Sequence, residues 1–214
     1  MKLYNAAMIS CIVLAAGESV RFGSPKLLAE LLPGRPVIAV LIEQLIVSKI
    51  SEIIIVLGAQ RERIESAILK HKKVKVVYNK DYKLGQTTSF LAGLRQVDRK
   101  TQGIMLLPAD TPAVRPSTVN QLITDFSDRR PLIQIPTYLG RKGHPPIFHS
   151  DLRKELLELD PQAGVNTIIR RYDTETVLVQ VDDPGVTATF NTPQEFLAVK
   201  ALLLAQVQNP APEK

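Results

Sequence analysis

Short, mostly apolar runs alternate along this chain with longer stretches in which apolar residues return every three or four positions. Ile9 to Ala15, Glu52 to Leu57, Val74 to Tyr78 and Ile104 to Leu107 are of the first kind, with the length and composition of strands buried on both faces. Leu132 to Tyr138 and Thr176 to Val181 add two more strands. Of the second kind, Val37 to Lys49 follows a proline suited to a first helical turn and gathers Val37, Val40, Leu41, Leu45 and Ile46 on one broad face. The same spacing predicts helices over Arg61 to His71, with Ile64, Ile68 and Leu69 inward, over Pro116 to Arg130, and from Pro193 onward. A helix from about Thr88, capped by Thr87 or Thr88, and short helices over Leu152 to Leu159 and Val165 to Arg171 complete the pattern. Strand-helix alternation of this kind implies an α/β fold with parallel strands, right-handed crossovers and ligands collected at the carboxyl ends of the strands.

At 214 residues, the chain suits one domain, expected over 1–208, with 209–214 a disordered tail. Hydrophobic residues at 45% and charged ones at 22% are globular composition, and no apolar run reaches the ~20 residues of a membrane helix, so a soluble protein with no membrane partner is expected. The net charge of +6 favours anionic partners. Lys and Arg are scattered and aromatics are only 5%, which makes nucleic acid the weaker partner class. The single cysteine, Cys11, lies inside the first apolar run and reads as a small buried hydrophobe in a reducing cytoplasm.

The first strand breaks at Ala16-Gly17 into a loop that holds Gly17, Gly23, Arg21 and Lys26. Glycines able to take positive φ let backbone N–H groups approach an anion, while Arg21 offers a planar fork and Lys26 a point charge. Neither GxxxxGK[ST] nor GxGxxG is present, so spacing alone leaves anion binding and an ordinary strand-turn both open. Asp110 follows the strand at Ile104 to Leu107, where it is either a turn residue before Thr-Pro or a carboxylate meeting a ligand. An oxygen donor at that mouth suits Mg²⁺, which binds through one or two carboxylates plus substrate phosphates.

The run Leu14, Ala15, Ala16, Gly17, then Arg21-Phe22-Gly23 and Lys26, resembles the signature of the MobA-like nucleotidyltransferases, and LAAG is most similar to its molybdenum-cofactor cytidylyltransferase branch. Asn79, Tyr82, Gly85 and Ser89 resemble the family's segment that holds base and ribose. Asp110 in PADTP is similar to the metal-ligand position of a GDQP or GDMP motif, with Ala109 departing from glycine. Gly143-His144-Pro145 resembles the element facing the acceptor. The resemblance covers roughly Ile9 to Leu204 and implies a single three-layer α/β/α domain, mostly parallel with one antiparallel strand among the later segments, of the nucleoside-diphosphate-sugar transferase kind. It further implies a Mg²⁺-dependent attack of an acceptor phosphate, preferentially that of molybdopterin, on the α-phosphorus of CTP, with docking to a molybdoenzyme or its chaperone. In that reading Arg21, Lys26 and Asp110 are catalytic, Leu14 to Gly17, Asn79, Gly85 and Ser89 bind nucleotide, and Gly143 and His144 face the acceptor. The C-terminal turn Phe190-Asn191-Thr192-Pro193 departs from the pattern, since many relatives carry carboxylates where this chain has Thr189 and Asn191. A guanylyl- or sugar-phosphate-transferring sibling and a nucleotide-binding regulator without turnover are the alternatives.

Overall fold

The computed structural model describes residues 7–208; the expected disordered tail lies outside them. Ten strands are present: β1 (Ile9–Ala15), β2 (Glu30–Leu32), β3 (Arg35–Pro36), β4 (Glu52–Leu57), β5 (Val74–Tyr78), β6 (Gly103–Pro108), β7 (Ile133–Tyr138), β8 (Arg141–Lys142), β9 (Ile147–His149) and β10 (Thr176–Gln180). The helices are α1 (Val37–Val47), α2 (Arg61–Glu65), α3 (Gln86–Leu94), α4 (Pro116–Arg129), α5 (Arg153–Leu157), α6 (Asn166–Arg171) and α7 (Pro193–Gln208).

Eight strands form one sheet in the order β10-β7-β9-β6-β1-β4-β5, with β8 on β7, while β2 and β3 make a separate hairpin. β5, β4, β1 and β6 run parallel, β10 is parallel to β7, and β9 lies antiparallel between β6 and β7. The expected mostly parallel sheet with an antiparallel strand among the later segments is therefore present, and β8 adds a second, short antiparallel strand on β7.

Burial on both faces explains why the strands read as continuous apolar runs. Cys11, Val13 and Ala15 point into a layer shared with α1, α4 and α7, whereas Ile12 and Leu14 point into the layer of α3, α5 and α6. β4 alternates in the same way, with Ile53, Ile55 and Leu57 against Ile54 and Val56. Two packed faces make the three-layer α/β arrangement, each buried Leu, Ile or Phe contributing about 1.5–3 kcal/mol. Gly93 in α3 lets the helix sit directly on the sheet, because a Cβ there would come within 2.6 Å of Ile12 Cγ2. Cys11 is fully buried and burial pushes its thiol pKa up, in keeping with a packing role. No helix of the described residues is long and apolar enough to cross a membrane.

Two local expectations need correction. The helix expected over Arg61 to His71 ends at Glu65: the Ser66 hydroxyl donates to Arg63 O at 2.8 Å, the chain continues in single tight turns, and Leu69 faces solvent. α3 begins at Gln86 with Gly85, at φ 118°, before it, and no side chain caps it. Thr88 instead donates back to Gly85 O and Asp81 O, and Thr87 to Ala163 O. Ile147–His149, for which the sequence pattern gives no element, forms β9 through its pairing with β6 and β7.

The amino ends of the strands carry a polar clamp. Ser10 lies beside Glu52 in the β1–β4 register, and the buried Glu52 carboxylate accepts from Ser10 Oγ (2.7 Å), Asp98 N (3.1 Å) and Lys75 Nζ. Burial alone would raise this carboxyl's pKa, but the hydrogen bonds from Lys75, Ser10 and Asp98 outweigh it and hold the group below its ordinary 4.5. A carboxyl depressed by folding stabilises fully above its unfolded value and loses that contribution as pH falls through its folded one. Glu52→Gln is therefore expected to lower the melting temperature at pH 7, with the gap to the wild type closing as pH drops below 4.5. Thermal melts of both proteins across pH measure it, and a gap that stays constant would mean that the charge of Glu52 contributes nothing.

Candidate active site

At the opposite, carboxyl ends of the strands, β1 and β6 are adjacent, with Leu14 in register with Pro108. Ala109 N donates to Leu14 O at 3.0 Å. The loop after β1 and the turn after β6 are thus fastened side by side, which brings Asp110 to the glycine loop. Within that loop, Val20–Phe22 make one tight turn closed by Gly23 at φ 77°, a conformation glycine adopts without steric cost. Gly17, also expected to suit a positive φ, does not have one, and a Cβ there would meet nothing within 4 Å.

Phe22 anchors the loop. Its ring meets Phe190 at 5.9 Å and Phe196 at 5.7 Å edge-on, so the glycine loop packs against the C-terminal turn. That packing sets the environment of Lys26. Its ammonium donates to Asp110 Oδ2 (2.7 Å), Phe190 O (3.0 Å) and Asn191 Oδ1 (3.1 Å), and only 14% of its side chain is exposed. Three oxygens from two distant segments thus converge on Lys26 and take it out of solvent. Arg21 is exposed as expected, and its charge helps hold Glu195 below the ordinary carboxylate range, behind the larger effect of the Asn191 and Thr192 backbone N–H groups.

A cleft of about 280 Å³ opens above these residues. It is lined by Leu14, Ala15, Ala16 and Gly17 from the first loop, by Lys26 and Leu27, by Tyr82, Gly85, Gln86 and Ser89, and by Pro108, Ala109 and Asp110. The residues singled out in LAAG, together with Gly85, Ser89, Lys26 and Asp110, therefore share one cavity; Arg21, Asn79, Gly143 and His144 do not line it. Asn79 is buried beneath the cleft, where Nδ2 donates to Thr88 Oγ1 (2.9 Å) and Ser89 Oγ (3.0 Å) and Oδ1 accepts from Asp81 N (3.0 Å). All of its polar atoms are engaged, so it orients Ser89. Gly58 supports Tyr82 from below, since a Cβ at 58 would fall within 2.6 Å of Tyr82 Cβ and 2.7 Å of Ala16 O.

Gly143 and His144 border a second cavity of about 200 Å³ whose walls include Leu106, Ile135, Val165 and Ile169, with Lys142 at its edge. Burial lowers the His144 pKa, partly offset by the negative charge of Asp110, and its Nδ1 is buried without a partner among the described residues.

Three cleft residues carried no signal strong enough to single them out. Gln86 is missed because the helix starts two residues earlier than its Thr pair suggests. Leu27 reads as core, and Pro108 ends a strand. The Phe190 carbonyl has no side-chain signature at all.

Among the described residues no group of three or more His, Cys, Asp or Glu could hold a metal. The oxygens around Lys26 are nonetheless the hard donors that Mg²⁺ takes, and one carboxylate with substrate phosphates is a sufficient set for it. Asp110, with the Asn191 amide oxygen, fits that ion.

The chain is 26% identical over 198 residues to nicotine blue oxidoreductase of Paenarthrobacter nicotinovorans, covering 88% of this chain and 94% of that one. It is 28% identical over 149 residues to a protein named probable molybdenum cofactor guanylyltransferase of Thermococcus sibiricus, covering 69% and 70%. A nucleotidyl transferase from Methanothermobacter thermautotroptrophicus shares its fold with a TM-score of 0.78 at 23% identity, over 93% of this chain and 99% of the other. The profile of the MobA-like NTP transferase domain matches residues 11–177, spanning both the glycine loop and the Asp110 turn, and the chain belongs to that family.

Proposed function

We propose that this protein transfers CMP from CTP to a phosphorylated acceptor of the molybdopterin type, with Mg²⁺, and releases pyrophosphate. The observation that carries the reading is the convergence of Asp110, Asn191 and Lys26 at the mouth of the glycine loop. An acceptor phosphate is already an anion, so the chain has to align it and neutralise the leaving pyrophosphate, and no general base is assigned. Lys26 and Arg21 supply positive charge beside the loop, and the uncapped start of α3 turns free N–H groups toward the same cleft. Leu14 to Gly17, Gly85 and Ser89 hold base and ribose, with Asn79 fixing the Ser89 hydroxyl. Mg²⁺, when bound, draws off charge on the phosphates and is held by Asp110 with Asn191. His144, kept neutral by burial, and Gly143 face the acceptor from the second cavity. The setting is cytoplasmic, with product passed to a molybdoenzyme or its chaperone.

CTP is preferred because Ala16 lines the cleft with a methyl group where a glycine would leave more room. The second reading is GTP, favoured by the Thermococcus relative and by the neutral Asn191 turn. CTP is expected to raise the melting temperature more than GTP at equal free concentration, since binding to the native state alone stabilises by mass action. A clear GTP preference overturns the choice of base. An NTP panel with Mg²⁺, with and without molybdopterin, read by product mass, tests the reaction. Oxidoreductase activity with no pyrophosphate release would place the chain with its oxidoreductase relative instead.

A further inference from the structure

Asp183 lies between β10 and α7, lines neither cavity and is wholly buried. Its Oδ2 accepts from Arg115 N (2.9 Å) and Thr118 Oγ1 (2.7 Å), and its Oδ1 from Gly185 N (2.9 Å) and, at 3.4 Å, from Gln206 Nε2. All four donors are uncharged. A carboxylate taken out of water with no cation beside it is costly to keep, so its position must be over-determined by hydrogen bonds.

Those bonds, together with the contacts of the turn they hold, fix a junction of three segments: the start of α4, the turn Pro184–Thr187 and the backbone of Gly143-His144. Arg115 and Thr118 start α4, directly after the turn that carries Asp110. Gly185 sits in the tight turn Pro184–Thr187. That turn touches the other two segments at backbone distance: a Cβ on Gly185 would stand 2.0 Å from Ala113 O, and one on Gly143 would stand 2.4 Å from Val186 O. Val186 O accepts the His144 N–H at 2.7 Å. The carboxylate therefore holds the turn, and the turn holds both the backbone of Gly143-His144 and the segment leading out of the Asp110 turn.

We propose that Asp183 is a positioning residue, which sets the placement of His144 relative to Asp110 and thereby the alignment of the acceptor against the nucleotide. Its kinetic consequence rests on the reaction proposed above; its structural consequence does not.

The test uses Asp183→Asn, whose amide turns an N–H toward the donors it must accept from, and Thr118→Val, which removes one donor at similar volume. Glu52→Gln is the control, destabilising the sheet from its far end. The protein has three histidines, so each imidazole can be followed in the NMR spectrum of the free protein and assigned by substitution. Asp183→Asn is expected to displace the His144 signal and leave that of His71 in place, Thr118→Val to displace it less in the same direction, and Glu52→Gln not to displace it. In the transfer reaction, Asp183→Asn is expected to raise KM for the acceptor by about ten- to a hundred-fold, the scale of a ~1 Å misplacement, with metal-free CTP affinity retained. A folded Asp183→Asn or Thr118→Val protein whose His144 signal stays in place, or an Asp183→Asn enzyme that melts lower with an unchanged acceptor KM, overturns the proposal. If the wild type transfers no nucleotide to any acceptor, the reaction is wrong, and the His144 signal alone decides the role of Asp183.

Discussion

Asp110→Asn is expected to abolish turnover, lowering it by about a thousand-fold or more, while metal-free CTP still binds. The large loss follows from charge: Asp110 is the only carboxylate on the oxygen cluster, because Thr189 and Asn191 are neutral, and a bound divalent ion supplies several kcal/mol of charge stabilisation in phosphoryl chemistry. Retained binding follows from geometry. Asn keeps an oxygen for Lys26 in place of the one now at 2.7 Å, so the loop keeps its fastening, and removing a negative charge from beside the phosphates relieves repulsion. Calorimetric titration of both proteins with CTP, in EDTA and in Mg²⁺, reads the two halves separately. An Asp110→Asn enzyme with near-normal turnover would mean that another group holds the metal and that the turn after β6 has a different role.

What the sequence reveals and hides here follows the range of the interactions. β1, β4 and β6 are legible because parallel strands buried on both faces are apolar at nearly every position, and α1 and α4 because one face of each is core. β9 is hidden because three residues after two prolines have no periodicity to show, and its pairing with β6 and β7 is set entirely by the sheet. The loop chemistry of Gly23, Lys26 and Asp110 stands in the residue types, and the parallel pairing of β1 with β6 suffices to bring them together.

Other features of the site depend on contacts that no local pattern shows. Asn79 has the composition of a ligand-binding residue, but each of its polar atoms finds a partner within ten positions, and no pattern distinguishes the two uses. Asp183 follows Asp182 and precedes a proline, a local pattern that says nothing of burial. Its buried state is decided by Thr118, 65 residues away. Lys26 meets Asp110 across 84 residues and Phe190 across 164, so neither its burial nor its partners could be read from the loop that contains it.

Lys26→Ala is expected to lower turnover by about ten- to a thousand-fold, the scale of losing one stabiliser of transition-state charge. It should also make the free protein bind Mg²⁺ more tightly than the wild type does. The second effect distinguishes the observed site from a loop with a loose surface lysine. In the resting protein the ammonium occupies the point on which Asp110 Oδ2, Phe190 O and Asn191 Oδ1 converge, so a divalent ion arriving alone must displace a cation already in place. A nucleotide brings phosphates to receive Lys26 as it brings its metal, which is why Mg²⁺ is expected to enter mainly as the metal-nucleotide complex. Removing the lysine vacates the oxygens and leaves the Asp110 charge without its partner, at a cost of about 1.5–3 kcal/mol for a charged hydrogen bond. Arg21→Ala provides the contrast. Its side chain is exposed and makes no hydrogen bond to those oxygens, so turnover is expected to fall over the same range through the pyrophosphate while Mg²⁺ binding to the free protein stays as weak as in the wild type. Titrating Mg²⁺ into wild type, Lys26→Ala and Arg21→Ala without nucleotide, alongside steady-state rates at saturating CTP, measures both effects. Tight Mg²⁺ binding by the wild type, no gain in Lys26→Ala, or full activity in that variant would show that the ammonium neither guards the oxygens nor serves the leaving group.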